Sequence, residues 1–236
     1  MTPPLLEAVD LCAGYGGAQV VRDLRLAVGA GEAVGLLGRN GMGKTTTVRA
    51  VFGQTPWRRG RISFDGGDIS DLAPHCLARL GIGLVPEGRR VFPTLTVREN
   101  LVAFARWRPA GPPWSLERVF DLMPALAARA GTAGARLSGG EQQITAIGRA
   151  LMTGPRMLFL DEATEGLAPT LRTEVWACLT RIKAEGVALI VIDKNLAELR
   201  RLTDRNVILE KGRAAWEGTS ATLAADPAVA SRLLGI

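Results

Sequence analysis

Apolar and polar positions alternate over residues 5–11 and again over 23–28, the pattern of two half-buried strands in an antiparallel pair. Between them Gly14, Tyr15, Gly16 and Gly17 supply turn chemistry. Ala33–Leu37 is instead a continuous apolar run bounded by glycines, as expected of a strand covered on both faces. It leads into a glycine-rich stretch and then a helical pattern over 44–52. Residues 61–64 and Ile69 flank Asp65-Gly66-Gly67-Asp68, a hairpin turn signal. Pro74–Leu80 predicts a short helix, and Ile82–Val85 a strand that ends at Pro86.

From Thr96 to about Leu126 the spacing turns helical, with an interruption at the proline- and glycine-rich 109–113. Ser115 supplies a helix start, although Arg118 stands where a full capping box needs an acid. After a loop over 131–134, Gly139–Met152 is helical and 157–160 is a buried strand. Helix over 171–184, strand over 187–192, helix over Leu196–Leu202 and strand over 207–209 continue the alternation. A closing strand over 214–217 and a short terminal helix finish the chain. This order predicts an α/β fold: a mostly parallel core sheet with helices on both faces and an antiparallel β portion near the N-terminus.

Three segments in that frame carry chemistry. Gly38-Arg39-Asn40-Gly41-Met42-Gly43-Lys44-Thr45 has the form GxxxxGK[ST], between a strand and a helix as a phosphate-binding loop requires. Its glycines let backbone N–H groups turn toward phosphate oxygens, and the helix dipole favours the same charge. Lys44 is expected to bridge the β- and γ-phosphates of ATP, with Thr45 as a ligand to Mg²⁺ and Thr46 beside it. The strand over 157–160 delivers Asp161 to the metal and Glu162 to the position of an attacking water, as general base. The third segment, Leu137-Ser138-Gly139-Gly140-Glu141-Gln142-Gln143, places a serine and two glycines at a helix N-terminus, a second anion site.

LSGGEQQ between the two nucleotide motifs resembles the signature of ABC ATPases, and the resemblance spans essentially the whole chain. It implies the P-loop NTPase ABC ATPase fold. A catalytic core with an antiparallel β subdomain (1–92 and 156–236) would carry a helical subdomain (93–155) that ends in the signature helix. It implies that Ser138 and its neighbours close on ATP held by a partner's loop, and that Tyr15 stacks on adenine, unless Tyr15 is an ordinary turn or core residue. Thr96-Val97-Arg98-Glu99-Asn100-Leu101 resembles the opening of the family's helical subdomain, and Glu165-Gly166-Leu167-Ala168-Pro169 falls at its D-loop.

Within that family the chain is most similar to the smaller ATPase of branched-chain amino-acid importers, through residues 14–20, 85–93 and 165–169. Urea and amide importers use closely similar subunits. The implied partners are a second ATPase subunit, transmembrane permeases and, indirectly, an external solute-binding protein. A cytoplasmic place on the inner face of the plasma membrane is implied with them. Three departures stand out. Glu87 occupies the usual glutamine position of the Q-loop, where a carboxylate can approach Mg²⁺ yet donates no hydrogen bond when ionised. Lys194 stands at the usual switch histidine, either as a cation for the γ-phosphate or as a solvated lysine. Ala168 replaces the D-loop aspartate and Ala163 the proline after the catalytic glutamate.

Composition excludes more than it selects. With 236 residues and 47% hydrophobic residues the chain can bury a core as one domain, so disorder is ruled out. No apolar run nears the roughly 20 residues of a membrane span, and residues 1–10 carry no signal-peptide pattern. The net charge of +6 is scattered without basic–aromatic interleaving, and no nucleic-acid partner is expected. An ABC ATPase of the chromosome type needs a long coiled-coil insertion, and the translation type two such domains; neither fits. A regulatory protein without turnover is disfavoured by the intact Glu162. Cys12, Cys76 and Cys178 form no CxxC pair, and the single His75 has no ligand-spaced companions, so a surface or capping role is expected of it.

Overall fold

A computed structural model describes residues 3–105 and 114–235. The expected interruption at 109–113 lies outside the described residues. The chain runs β1 (Leu6–Tyr15), β2 (Ala18–Val28), β3 (Ala33–Leu37), α1 (Lys44–Val51), β4 (Trp57–Phe64), β5 (Gly67–Asp68), α2 (Pro74–Leu80) and β6 (Ile82–Val85). It continues with α3 (Val97–Val102), α4 (Leu116–Leu122), α5 (Pro124–Ala127), a 3-10 turn at Gly134–Arg136, α6 (Gly139–Met152), β7 (Met157–Asp161), α7 (Pro169–Ala184) and β8 (Ala188–Ile192). The last elements are α8 (Leu196–Leu202), β9 (Arg205–Glu210), β10 (Arg213–Thr219), α9 (Ser220–Ala225) and α10 (Pro227–Leu234).

Two sheets form. The larger has the order β10-β9-β3-β8-β7-β6, parallel throughout except for the β9–β10 hairpin. The smaller, β2-β1-β4-β5, is antiparallel. Side-chain alternation along the central strands splits the interior in two. On β7, Leu158 and Leu160 join a core with the helices, including Leu101, Val119, Leu126 and Ile147. Met157 and Phe159 point the other way, into a core with the small sheet, Val48 and Phe52 of α1, and Leu77 of α2. Every residue of β3, β7 and β8 is buried, which accounts for their unbroken apolar runs.

The first hairpin is longer than the alternation suggests, with β1 reaching Tyr15 and only Gly16-Gly17 left at the turn. Register shifts between Ala8 and Leu11 and between Leu11 and Ala13 break the two-residue period that would have revealed it. β4 likewise starts at Trp57, because Arg58, Arg59 and Gly60 lie on a poorly covered stretch where polar residues are tolerated. The expected helix to Leu126 is cut at Met123, where Pro124 begins α5. Ser115 caps α4 by accepting the Arg118 N–H, as expected.

Candidate nucleotide site

The phosphate-binding loop occupies the turn between β3 and α1, at the C-terminal edge of the parallel sheet, where such folds bind ligands. All three of its glycines, Gly38, Gly41 and Gly43, take positive φ, and two of them also serve the packing. Gly38 has φ +139°, and a Cβ there would stand 2.6 Å from the Leu209 carbonyl. Gly43 has φ +102° and caps α1 in the left-handed region. The loop is also tied from behind. Lys211 N donates to Met42 Sδ at 3.2 Å and Gly212 N to the Met42 carbonyl at 3.2 Å, so the β9–β10 turn supports it. Met42 and Gly38 therefore serve the shape of the loop, while Arg39 lies against Gly235.

A cavity of about 410 Å³ opens over the loop. Its lining brings together Asn40, Gly41, Gly43, Lys44, Thr45 and Thr46 with Glu87, Glu162 and Lys194, nine of the residues singled out from sequence. It also brings in Val20 of β2 and Glu165, which sequence reasoning had not placed there. Tyr15 does not line it: half-buried at the hairpin tip, its hydroxyl accepts from Arg49 Nη1 of α1 at 3.4 Å. The Lys44 ammonium donates to the Gly38 and Arg39 carbonyls at 2.7 and 3.0 Å, and burial holds its pKa below the ordinary lysine value.

Asp161 ends β7 and is buried; Thr45 Oγ1 donates to its Oδ1 at 3.2 Å. Burial pushes the Asp161 carboxyl up, Thr45 draws it down, and the negative charge of Glu87 adds to the rise. A hydroxyl and two carboxylates are the hard oxygen donors that suit Mg²⁺, so the residues present fit that ion. Among the described residues no group of three or more His, Cys, Asp or Glu side chains is gathered as a metal cage.

Glu162 follows with φ +52°, a left-handed conformation that costs energy for a non-glycine residue, and its N–H donates to the Ile192 carbonyl at 2.9 Å. The chain turns at once, with Glu165 N–H donating to the Glu162 carbonyl at 3.2 Å. The turn brings the Glu162 and Glu165 carboxyl groups near each other. The neighbouring Glu165 carboxyl, with burial and the like charge, raises Glu162 to about 7, while Glu165 is lowered by Glu162 and by Lys194. Lys194 Nζ donates to Glu165 Oε1 in an ion pair. Lys194 lies just after β8, where Asp193 accepts from Thr164 Oγ1 and from the Asn195 N–H, fixing the turn into α8.

The signature segment lies elsewhere. Ser138 caps α6 by accepting the Glu141 N–H at 3.3 Å, and Glu141 returns to the Ser138 N–H at 2.8 Å, a complete capping box. Arg129 adds an ion pair to Glu141, and Gln142 donates to the Gly134 carbonyl at 3.1 Å. Leu137 is buried, and Arg89 lies over Gly139. Leu137, Ser138, Gly139, Gly140, Glu141 and Gln142 do not line the phosphate cavity of their own chain. Sequence reasoning missed the companion capping box of Thr96 and Glu99 at α3, although T-x-x-E before an apolar run signals it. His75 is exposed, and the three cysteines are free.

Residues 21–165 match the family model of the ABC transporter. The chain belongs to the ABC transporter family. It is an ATP-hydrolysing subunit of a transporter, with the ABC ATPase fold. This ABC ATPase is 36% identical to the high-affinity branched-chain amino acid transport ATP-binding protein BraG of Pseudomonas aeruginosa, over 94% of this chain and 95% of the relative. It is 35% identical to the lipopolysaccharide export system ATP-binding protein LptB of Acidithiobacillus ferridurans, over 98% and 97%. Among solved structures, an ATP-binding subunit of an ABC transporter superposes with a TM-score of 0.83 at 30% identity, covering 98% of this chain and 96% of that one. Among the described residues no helix is long and apolar enough to cross a membrane.

Proposed function

We propose that this ABC ATPase drives an importer for branched-chain amino acids, as the smaller of two different ATPase subunits on the inner face of the membrane. The observation that carries the substrate class is the similarity to BraG along nearly the whole chain, together with the segments 14–20, 85–93 and 165–169. The similar identity to LptB favours one other reading, a subunit for lipopolysaccharide export.

ATP binds with its phosphates in the loop amides, Lys44 against the β- and γ-phosphates and Tyr15 near the base. Thr45, Asp161 and Glu87 would hold Mg²⁺, which would neutralise phosphate charge. Glu162 orients and deprotonates the attacking water, and its raised pKa suits a base that works near neutrality. Ser138, Gly139 and Gly140 present a helix N-terminus to the γ-phosphate on a partner subunit, which agrees with their position outside this chain's own cavity.

Closure of two subunits would move permease helices docked in a largely apolar groove of about 470 Å³. Phe52, Pro74, Ile82 and Phe104 line that groove, and Glu87 and Asp161 reach it from the nucleotide side. Affinity purification from detergent-solubilised membranes tests the proposal. Two different multi-span permeases and a second ATPase are expected. Recovery of a lipopolysaccharide export assembly would transfer the chain to that system, and recovery of ribosomes or DNA would end the transport reading.

A further inference from the structure

The Glu165–Lys194 pair lines the phosphate cavity, on loops that follow the adjacent strands β7 and β8. Besides Lys194, Lys44 is the other cation lining that cavity, against the carboxylates of Glu87, Glu162 and Glu165. Lys44 is already committed to the loop carbonyls and lies beside Asp161 and Glu162. Lys194 is the cation of this cavity that is held by a carboxylate, and that carboxylate is an anion an incoming polyphosphate would meet. The side chains are 57% and 50% exposed, and an ion pair in such a high-dielectric setting is weak enough to be replaced by a more highly charged competitor.

The geometry points to Glu165 as a nucleotide-specificity residue, a counter-anion that holds Lys194 and yields it to the terminal phosphate of ATP. This rests on the reading of the loop as the ATP site. ADP ends one phosphate earlier and leaves the Glu165–Lys194 pair intact, so the exchange separates the two nucleotides. Glu165 is not a catalytic residue in this scheme; it acts through Lys194.

The test is isothermal titration of the full chain with ADP and with a non-hydrolysable ATP analogue at fixed Mg²⁺, for the parent, Glu165→Gln, Lys194→Met and the double variant. Glu165→Gln is expected to tighten the ATP analogue by about three- to fivefold and to change ADP by less than about twofold. In the Lys194→Met background the same substitution is expected to lose most of that gain, because no cation remains to be released. Both side chains are exposed, so neither truncation leaves a core cavity. Equal changes for both nucleotides, or an undiminished gain without Lys194, would overturn the exchange. A parent chain that bound neither nucleotide would instead remove the ATP-site reading on which it stands.

Discussion

At the residue scale the site is a contest between burial and charge. Burial lowers the Lys44 pKa and raises that of Asp161, so each is least costly when paired. Replacing Lys44 by Ala removes a cation that nearby Asp161 and Glu162 favour, and is expected to abolish measurable ATP binding while the fold, read by circular dichroism, persists. Glu162→Gln keeps the size and hydrogen-bonding reach of the side chain but loses the base. Bound ATP with phosphate release reduced by about 100-fold or more is the expected result, and parental turnover in a phosphate-release assay would remove Glu162 from its role. The individual groups were legible in the sequence because the loop motif and the Asp161-Glu162 pair are local. The Glu162–Glu165–Lys194 chain was not, because it depends on β7 and β8 ending side by side.

At the element scale, helices rely on their ends. α6 begins with the Ser138–Glu141 box, and two hydrogen bonds satisfy N–H groups that the first turn would otherwise leave open. Ser138→Ala is expected to cost about 1 kcal/mol in denaturant unfolding. Glu141 is held below the ordinary glutamate value, first by the Ser138 N–H and then, against the effect of burial, by the Ser138 side chain and Arg129. A depressed folded-state pKa means that this contribution is fully present above the unfolded value of about 4.5. It is lost as pH falls through the lowered folded value. Urea midpoints of the parent and Glu141→Gln should therefore differ at pH 7 and converge in strongly acidic buffer.

The same scale shows why some elements were read short. β4 carries Arg58 and Arg59 in the part not read as strand, the glycines of 14–17 read as an extended turn between β1 and β2, and the register shifts of β1 disturb the alternation, so these strands were read short. The central strands and α6, whose faces are set by burial, were legible almost to the residue.

For the whole molecule, the parallel sheet separates two cores and gathers its ligand groups at one edge. The order of strands followed from the alternation of elements only as a class; that β3 stands next to β8 and β9 is a long-range result the local pattern does not carry. Glu87, Lys194 and Ala168 depart from the family pattern within one molecule. If the proposed partner is a different ATPase, the two composite nucleotide sites differ; a mixed pair is then expected to hydrolyse ATP faster than this chain alone, and equal steady-state rates for the homodimer and the mixed pair would contradict that pairing.

The support of the phosphate loop by Lys211 and Gly212 has a further consequence. A cradle whose shape is set during folding spends little ordering entropy when an anion arrives, and it selects by charge geometry rather than by adapting to its guest. Amide exchange in residues 38–43 should then be slow before any nucleotide is added. Distorting the supporting turn, for instance with Gly212→Val, whose side chain would run into the Val20 carbonyl, should blunt phosphate recognition by reshaping the loop from behind.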